Sequence, residues 1–119
     1  MVSRSGYAGA DRGAVTVEAA LALCSLAVFL VLAVGAVAAV IGTIRCVDAS
    51  RELARLAARG EPERGRTVAA ALAPGGARLE LAGNGDTVVA TVSAELVHPL
   101  PLGISGRAVA ALEPGVVPP

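Results

Sequence analysis

Apolar positions follow three different rules along this chain. From residue 19 to residue 44 no side chain carries a formal charge, a run of 26 positions made mostly of Ala, Val, Leu and Ile. Spanning a hydrocarbon core of roughly 30 Å takes about 20 such residues in a helix, so the run suffices with some tilt. Residues 48–59, DASRELARLAAR, switch to an amphipathic helical pattern without Gly or Pro. There Arg51, Arg55 and Arg59 share one face, while Ala49, Leu53, Leu56 and Ala57 lie largely on another. Nothing breaks a helix at residues 45–47. One rod is therefore expected from about Val15 to Arg59, on the order of 65–70 Å long, stopped by Gly60 and Pro62.

Beyond a linker at residues 60–65, residues 66–73 read as a short apolar helix ended by Pro74, Gly75 and Gly76. The period then becomes two. Residues 78–82, a glycine-bearing turn at 83–86 and residues 87–97 predict a β-hairpin. In its second strand Val88, Ala90, Val92, Ala94 and Leu96 point one way, and Val89, Thr91, Ser93 and Glu95 the other. A third strand is expected at residues 104–112, with Ile104, Ala108, Ala110 and Leu112 on one face. The tail, residues 115–119, is too rich in proline to extend it and is expected to be disordered. The predicted class is α+β. A transmembrane helix (14–44) runs on as an extension outside the membrane (45–60) into a small head (61–114) holding a short helix and a three-stranded antiparallel sheet. A head of this size has a thin core and gains from a partner surface.

Composition narrows the function. Apolar residues make up 55% of the chain, and mean hydropathy is +0.68. Ten arginines balance ten acidic residues, and the aromatics are Tyr7 and Phe29 alone. That leaves neither a field to attract nucleic acid nor rings to stack on bases, so nucleic acid is not an expected partner. The single histidine, His98, precedes a proline and has no nucleophile and orienting partner to form a triad with. With two distant cysteines it is also too few ligands for zinc. The glycines of the turn at 83–86 lack the lysine that a phosphate loop requires. No cofactor, metal or small-molecule substrate is expected, and enzyme is the least supported class.

Cys24 and Cys46 stand 22 positions apart, about 33 Å on a continuous helix and far beyond disulfide reach. Cys24 reads as a small apolar filler, and Cys46 as a candidate cross-link between subunits in an oxidising compartment. Gly35 and Gly42, with Ala38 and Ala39 between them, form a small-residue stripe where another helix could pack closely. The arginine stripe has two readings, a solvated face or a contact for lipid phosphates or a partner.

The most informative constellation opens the apolar run: Arg12-Gly13-Ala14-Val15-Thr16-Val17-Glu18. A carboxylate at the edge of such a helix is expensive in lipid and persists where a cation compensates it. Cutting after Gly13 would make Ala14 the amino terminus and Glu18 the fifth residue. The new ammonium of a packed neighbour could then meet Glu18 and set axial register. The plainer reading is an interfacial Glu stabilised by the helix dipole. Residues 1–13 would be a short polar leader, disordered or removed.

The short leader, Gly13 before the cut, Glu18 at the fifth mature position and the apolar helix resemble the processing site of type IV pilin-like proteins. The phrase RGAVTVEAAL is similar to TadE-like minor pilins, the pseudopilins of tight-adherence (Tad/Flp) pilus and secretion systems; the resemblance covers most of residues 11–114. Many such proteins carry an aromatic residue after the glutamate, where this chain has Ala19. The resemblance implies that a prepilin peptidase cuts between Gly13 and Ala14, and that Glu18 serves assembly. It further implies partners among pilin-like subunits and Tad assembly components, a cytoplasmic N-terminus and an extracytoplasmic head. Arginine placement does not decide orientation, because Arg4 and Arg12 flank one end of the run and Arg45, Arg51, Arg55 and Arg59 the other. Two rivals remain. One is a single-span membrane protein that binds a partner without polymerising, and the other is a small Sec-secreted protein released near residues 37–40.

Overall fold

The computed structural model describes residues 7–97 and 99–119. His98 and the first six leader residues lie outside the described residues. The element order is α1 (Tyr7–Ala58), α2 (Pro62–Leu72), β1 (Arg78–Asn84), β2 (Thr87–Leu96) and β3 (Leu102–Ala111). This is the α+β arrangement expected from the pattern: a long N-terminal apolar helix, a short helix and one antiparallel sheet ordered β1-β2-β3.

The chain divides into two units, Met1–Val34 and Gly35–Pro119. In the first, α1 starts well before Val15, and residues 9–13 of the proposed leader are helical and exposed. The leader was expected to lack structure. Extending an existing helix costs far less than nucleating one, which lets even Gly9 and Gly13 join it. Residues 9–34 are exposed throughout, except for half-buried Ala33.

The second unit is the head. Its part of α1 ends in a Schellman motif: the Gly60 N–H donates to the Ala57 carbonyl (3.0 Å) and the Glu61 N–H to the Leu56 carbonyl (3.0 Å). Gly60 supplies the required left-handed φ of 85°. Pro62 then opens α2, four residues earlier than the expected Arg66, since proline fits the first helical position. Gly65, assigned to the linker by sequence, is a buried helix residue where α2 crosses α1. A Cβ there would stand 3.2 Å from both Leu53 Cδ1 and Leu56 Cβ. Arg45 closes the other end of α2, donating from Nε to the Leu72 carbonyl (3.1 Å) and from Nη2 to the Ala73 carbonyl (3.2 Å).

The β1–β2 turn is the two residues Gly85 and Asp86. Gly85 has φ 62° and Asp86 a negative φ, the sign pattern of a type II′ turn that suits the twist of a hairpin. Along β2 buried and half-buried positions alternate as predicted, with Val88, Ala90, Val92 and Ala94 facing α1. Val88 packs with Ala57 and Ala58, while Ala90, Val92 and Ala94 form the core with Cys46, Ala49, Leu53, Ala54, Ala69 and Ile104. Cys46 is fully buried among them, which corrects its expected role as an inter-subunit cross-link. Burial pushes its thiol pKa up, which further disfavours the reactive thiolate.

Gly106 in β3 lies directly against helix backbone. It faces inward beside Val92, and a Cβ on it would stand 2.5 Å from the Cys46 carbonyl carbon and 2.6 Å from its oxygen. The segment that leaves β3 turns back onto the head. The Leu112 N–H donates to the Asp86 carbonyl (2.7 Å) and the Glu113 N–H to the Ala58 carbonyl (3.0 Å), while Val116 lies over Gly60. Proline does exclude this tail from the sheet, but packing against the head does not require sheet hydrogen bonds.

Gly106→Ala is expected to destabilise the head by about 2 kcal/mol or more, because the added methyl meets helix backbone that cannot rotate away. Thermal unfolding of the purified protein in detergent checks this; an unchanged midpoint would mean the sheet and helix separate without cost.

Candidate functional site

Gly13, Ala14 and Glu18 all lie on the exposed first part of α1. Thr16 returns its hydroxyl to the Arg12 carbonyl one turn back (2.9 Å), so the segment between the glycine and the glutamate satisfies its own polar side chain. No heavy atom lies within 4 Å of where a Cβ on Gly13 would sit. The glycine is therefore not required by packing among the described residues, yet it weakens the helix by up to about 1 kcal/mol relative to Ala. A weak, uncovered helical turn is a bond that a peptidase could unwind and reach.

Of the ion pairs among the described residues, four link residues three apart and one, Arg59–Glu113, joins α1 to the segment after β3; all are solvent-accessible. Arg51 pairs with Asp48 (3.8 Å), Arg55 with Glu52 (2.5 Å), Arg64 with Glu61 (3.0 Å), Arg66 with Glu63 (3.9 Å) and Arg59 with Glu113 (3.5 Å). None involves Glu18. The Arg55 hydrogen bond is the main cause that holds the Glu52 carboxyl below its ordinary value. Each member of the arginine stripe thus has its own carboxylate, and such exposed pairs contribute little stability. The stripe is a charge-balanced face, not a bare cationic one.

Gly35 and Gly42 do allow close approach, but what approaches is the chain itself. A Cβ on Gly35 would meet Leu100 Cδ1 at 3.2 Å and Pro99 Cγ at 3.5 Å, and Gly42 is covered by the side chains of Ile104 and Leu96. Among the described residues both glycines of the stripe are covered by the chain's own side chains. Sequence could not show that the β2–β3 connection returns to α1 at these positions.

No described protein family matches the sequence, and no solved structure matches it. Over 98 residues the chain is 45% identical to a protein of Mycobacterium tuberculosis (strain ATCC 25618 / H37Rv) named Apoptosis inhibitor Rv3655c. The match covers 82% of this chain and 78% of that protein. The chain belongs to the family of that mycobacterial protein. At this identity over most of both chains, the long apolar helix and the head are expected to be shared features of the two family members.

Among the described residues no three His, Cys, Asp or Glu side chains converge as a metal site. An open groove runs between Arg51, Arg55 and Arg59 of α1 and residues 108–111 of β3. Among the described residues one helix is long and apolar enough to cross a membrane.

Gly13→Ala should leave the melting temperature unchanged or raise it slightly, as a glycine without packing duties would. A clear fall in thermal unfolding in detergent would reveal a structural role for Gly13.

Proposed function

We propose that this protein is a TadE-like minor pilin or pseudopilin, a membrane-anchored structural component of a Tad/Flp-type pilus or secretion assembly. The observation that carries the reading is Glu18, an exposed carboxylate with no ion-pair partner among the described residues, at the threshold of 26 uncharged positions. An ionisable group at the edge of a membrane helix marks a functional site whose partner should be named. Here the partner is the α-amino group that cleavage after Gly13 would create on Ala14 of a neighbouring subunit. Gly13, which packing leaves unexplained, supports the same reading.

In this account the apolar first part of α1 is both anchor and assembly surface. Residues 15–34, twenty positions exposed almost throughout, match the length needed to cross the hydrocarbon. The N-terminus would face the cytoplasm, where a prepilin peptidase removes the leader, and the head would stand outside. The work is mechanical: Glu18 sets the axial register of one helix against the next, and the head meets other components. No catalytic group is assigned to the chain.

The name of the mycobacterial relative favours a second reading, in which a member of this family inhibits apoptosis. A form of this chain released near residues 37–40 would retain the head core from Cys46 onward.

The N-terminal residue of the natural protein separates these readings. Ala14 is expected for the pilin, Met1 or Val2 for a plain single-span protein, and a start near residues 37–40 for a secreted one. Gly13→Leu should leave the leader attached, so an unaltered size on a gel relative to wild type would count against cleavage. Glu18→Ala should preserve membrane insertion but lower co-purification with neighbouring subunits by about tenfold or more, since it leaves a buried ammonium without its counter-ion. Unchanged co-purification would reduce Glu18 to a helix cap.

A further inference from the structure

The connection between β2 and β3 is built unlike an ordinary surface loop, which is usually polar. Its described residues are Val97, Pro99, Leu100 and Pro101, with Leu102 opening β3. Val97 is 70% exposed and Leu102 39%. Pro99 and Leu100 lie against Gly35, and Leu96 and Ile104 against Gly42. The loop thus runs beside the one stretch of the head's helix that carries no charge, residues 35–44. On the rest of that stretch Val37, Val40, Ile41 and Ile44 are each more than half exposed. The hydroxyl of Thr43 donates to the Ala39 carbonyl at 2.8 Å, which leaves no free donor there. The first charge after this stretch, Arg45, is turned onto the carbonyls of Leu72 and Ala73.

We infer that this apolar collar is seated in the interfacial layer of the bilayer, with Val97 and residues 99–101 as a second membrane contact beside the helix. The inference rests on the reading of α1 as a membrane span. Three features favour lipid as the occupant. The collar continues the uncharged run of α1 with no polar residue between Val34 and Gly42. If residues 15–34 fill roughly 30 Å of hydrocarbon, the headgroup layer, which adds about 5–8 Å per side, takes the next three to five residues at about 1.5 Å each, the turn around Gly35 on which Pro99 and Leu100 lie. Irregular backbone is tolerated only at the membrane's edge, because unsatisfied N–H groups are costly deeper in. Pro99 and Pro101 each remove one such donor. A shallow seat buries the side chains of Val97, Leu100 and Leu102 and keeps the loop's carbonyls within reach of water.

The chain has no tryptophan, so a single introduced indole reports its own surroundings. Full-length Val97→Trp in phosphatidylcholine vesicles should show blue-shifted emission. Lipids brominated near the headgroup end of the acyl chain should quench it at least twofold more than Val109→Trp on the outer sheet face. Phe29→Trp, within the span, should be quenched by deeply brominated lipids. Equal quenching at positions 97 and 109 would overturn the inference while Phe29→Trp upholds the span. An unquenched Phe29→Trp would instead overturn the span and with it the collar. Blue-shifted but unquenched Val97→Trp would mean that a second copy of the chain, not lipid, covers the loop, which also overturns the inference.

Discussion

The head is organised around one backbone-to-backbone approach, Gly106 of β3 on the Cys46–Val47 peptide of α1. At that distance no side chain fits between sheet and helix, so the layers on either side must also be filled by small groups. They are: Ala49, Ala54 and Ala57 on the helix, Ala90 and Ala94 on the sheet, with Leu53, Val88 and Val92 as the larger fillers. Ser50 is buried in the same layer at no unpaired cost, because its hydroxyl bonds the Val47 carbonyl of its own helix (2.8 Å). A core this thin gains stability from its edges. Arg45 supplies one, tying α1 to the end of α2, and the segment after β3 supplies another, hydrogen-bonded to Asp86 and Ala58.

Charge is arranged to cancel locally. The arginine stripe is matched by Asp48, Glu52 and Glu113, and α2 pairs Glu61 and Glu63 with its own arginines. Against this pattern Glu18 stands out, since it sits on the most apolar part of the molecule without a described partner. The proposed assembly role rests on that placement: a carboxylate on an exposed apolar helix needs a compensating cation from elsewhere. The apolar collar of residues 35–44 and 97–102 extends the same division, with lipid as the second environment to which the fold is matched.

Much of the architecture could be read before any coordinates. A 26-residue uncharged run, an amphipathic four-residue repeat and a switch to two-residue alternation each correspond to one backbone periodicity, so the long helix, the sheet and the faces of β2 and β3 followed. The readings that failed were of glycines. Gly65 reads as linker but is a packing position, and nothing in the sequence marks Gly106 as one, because a glycine's missing Cβ has meaning only relative to a neighbour distant in sequence. Cys46 looked available for cross-linking for the same reason.

The amino-acid order by itself determined which segments are helical, which alternate, where the charge-free run begins and that Gly13, Ala14 and Glu18 open it. Tertiary structure alone decided what covers Gly35 and Gly42, what Arg45 holds and where the tail lies. Periodicity is a local property, set by dihedrals and by which face is apolar. The partner of a given face is chosen by shape across the fold, and here a loop some sixty residues away along the chain closes over the helix stripe.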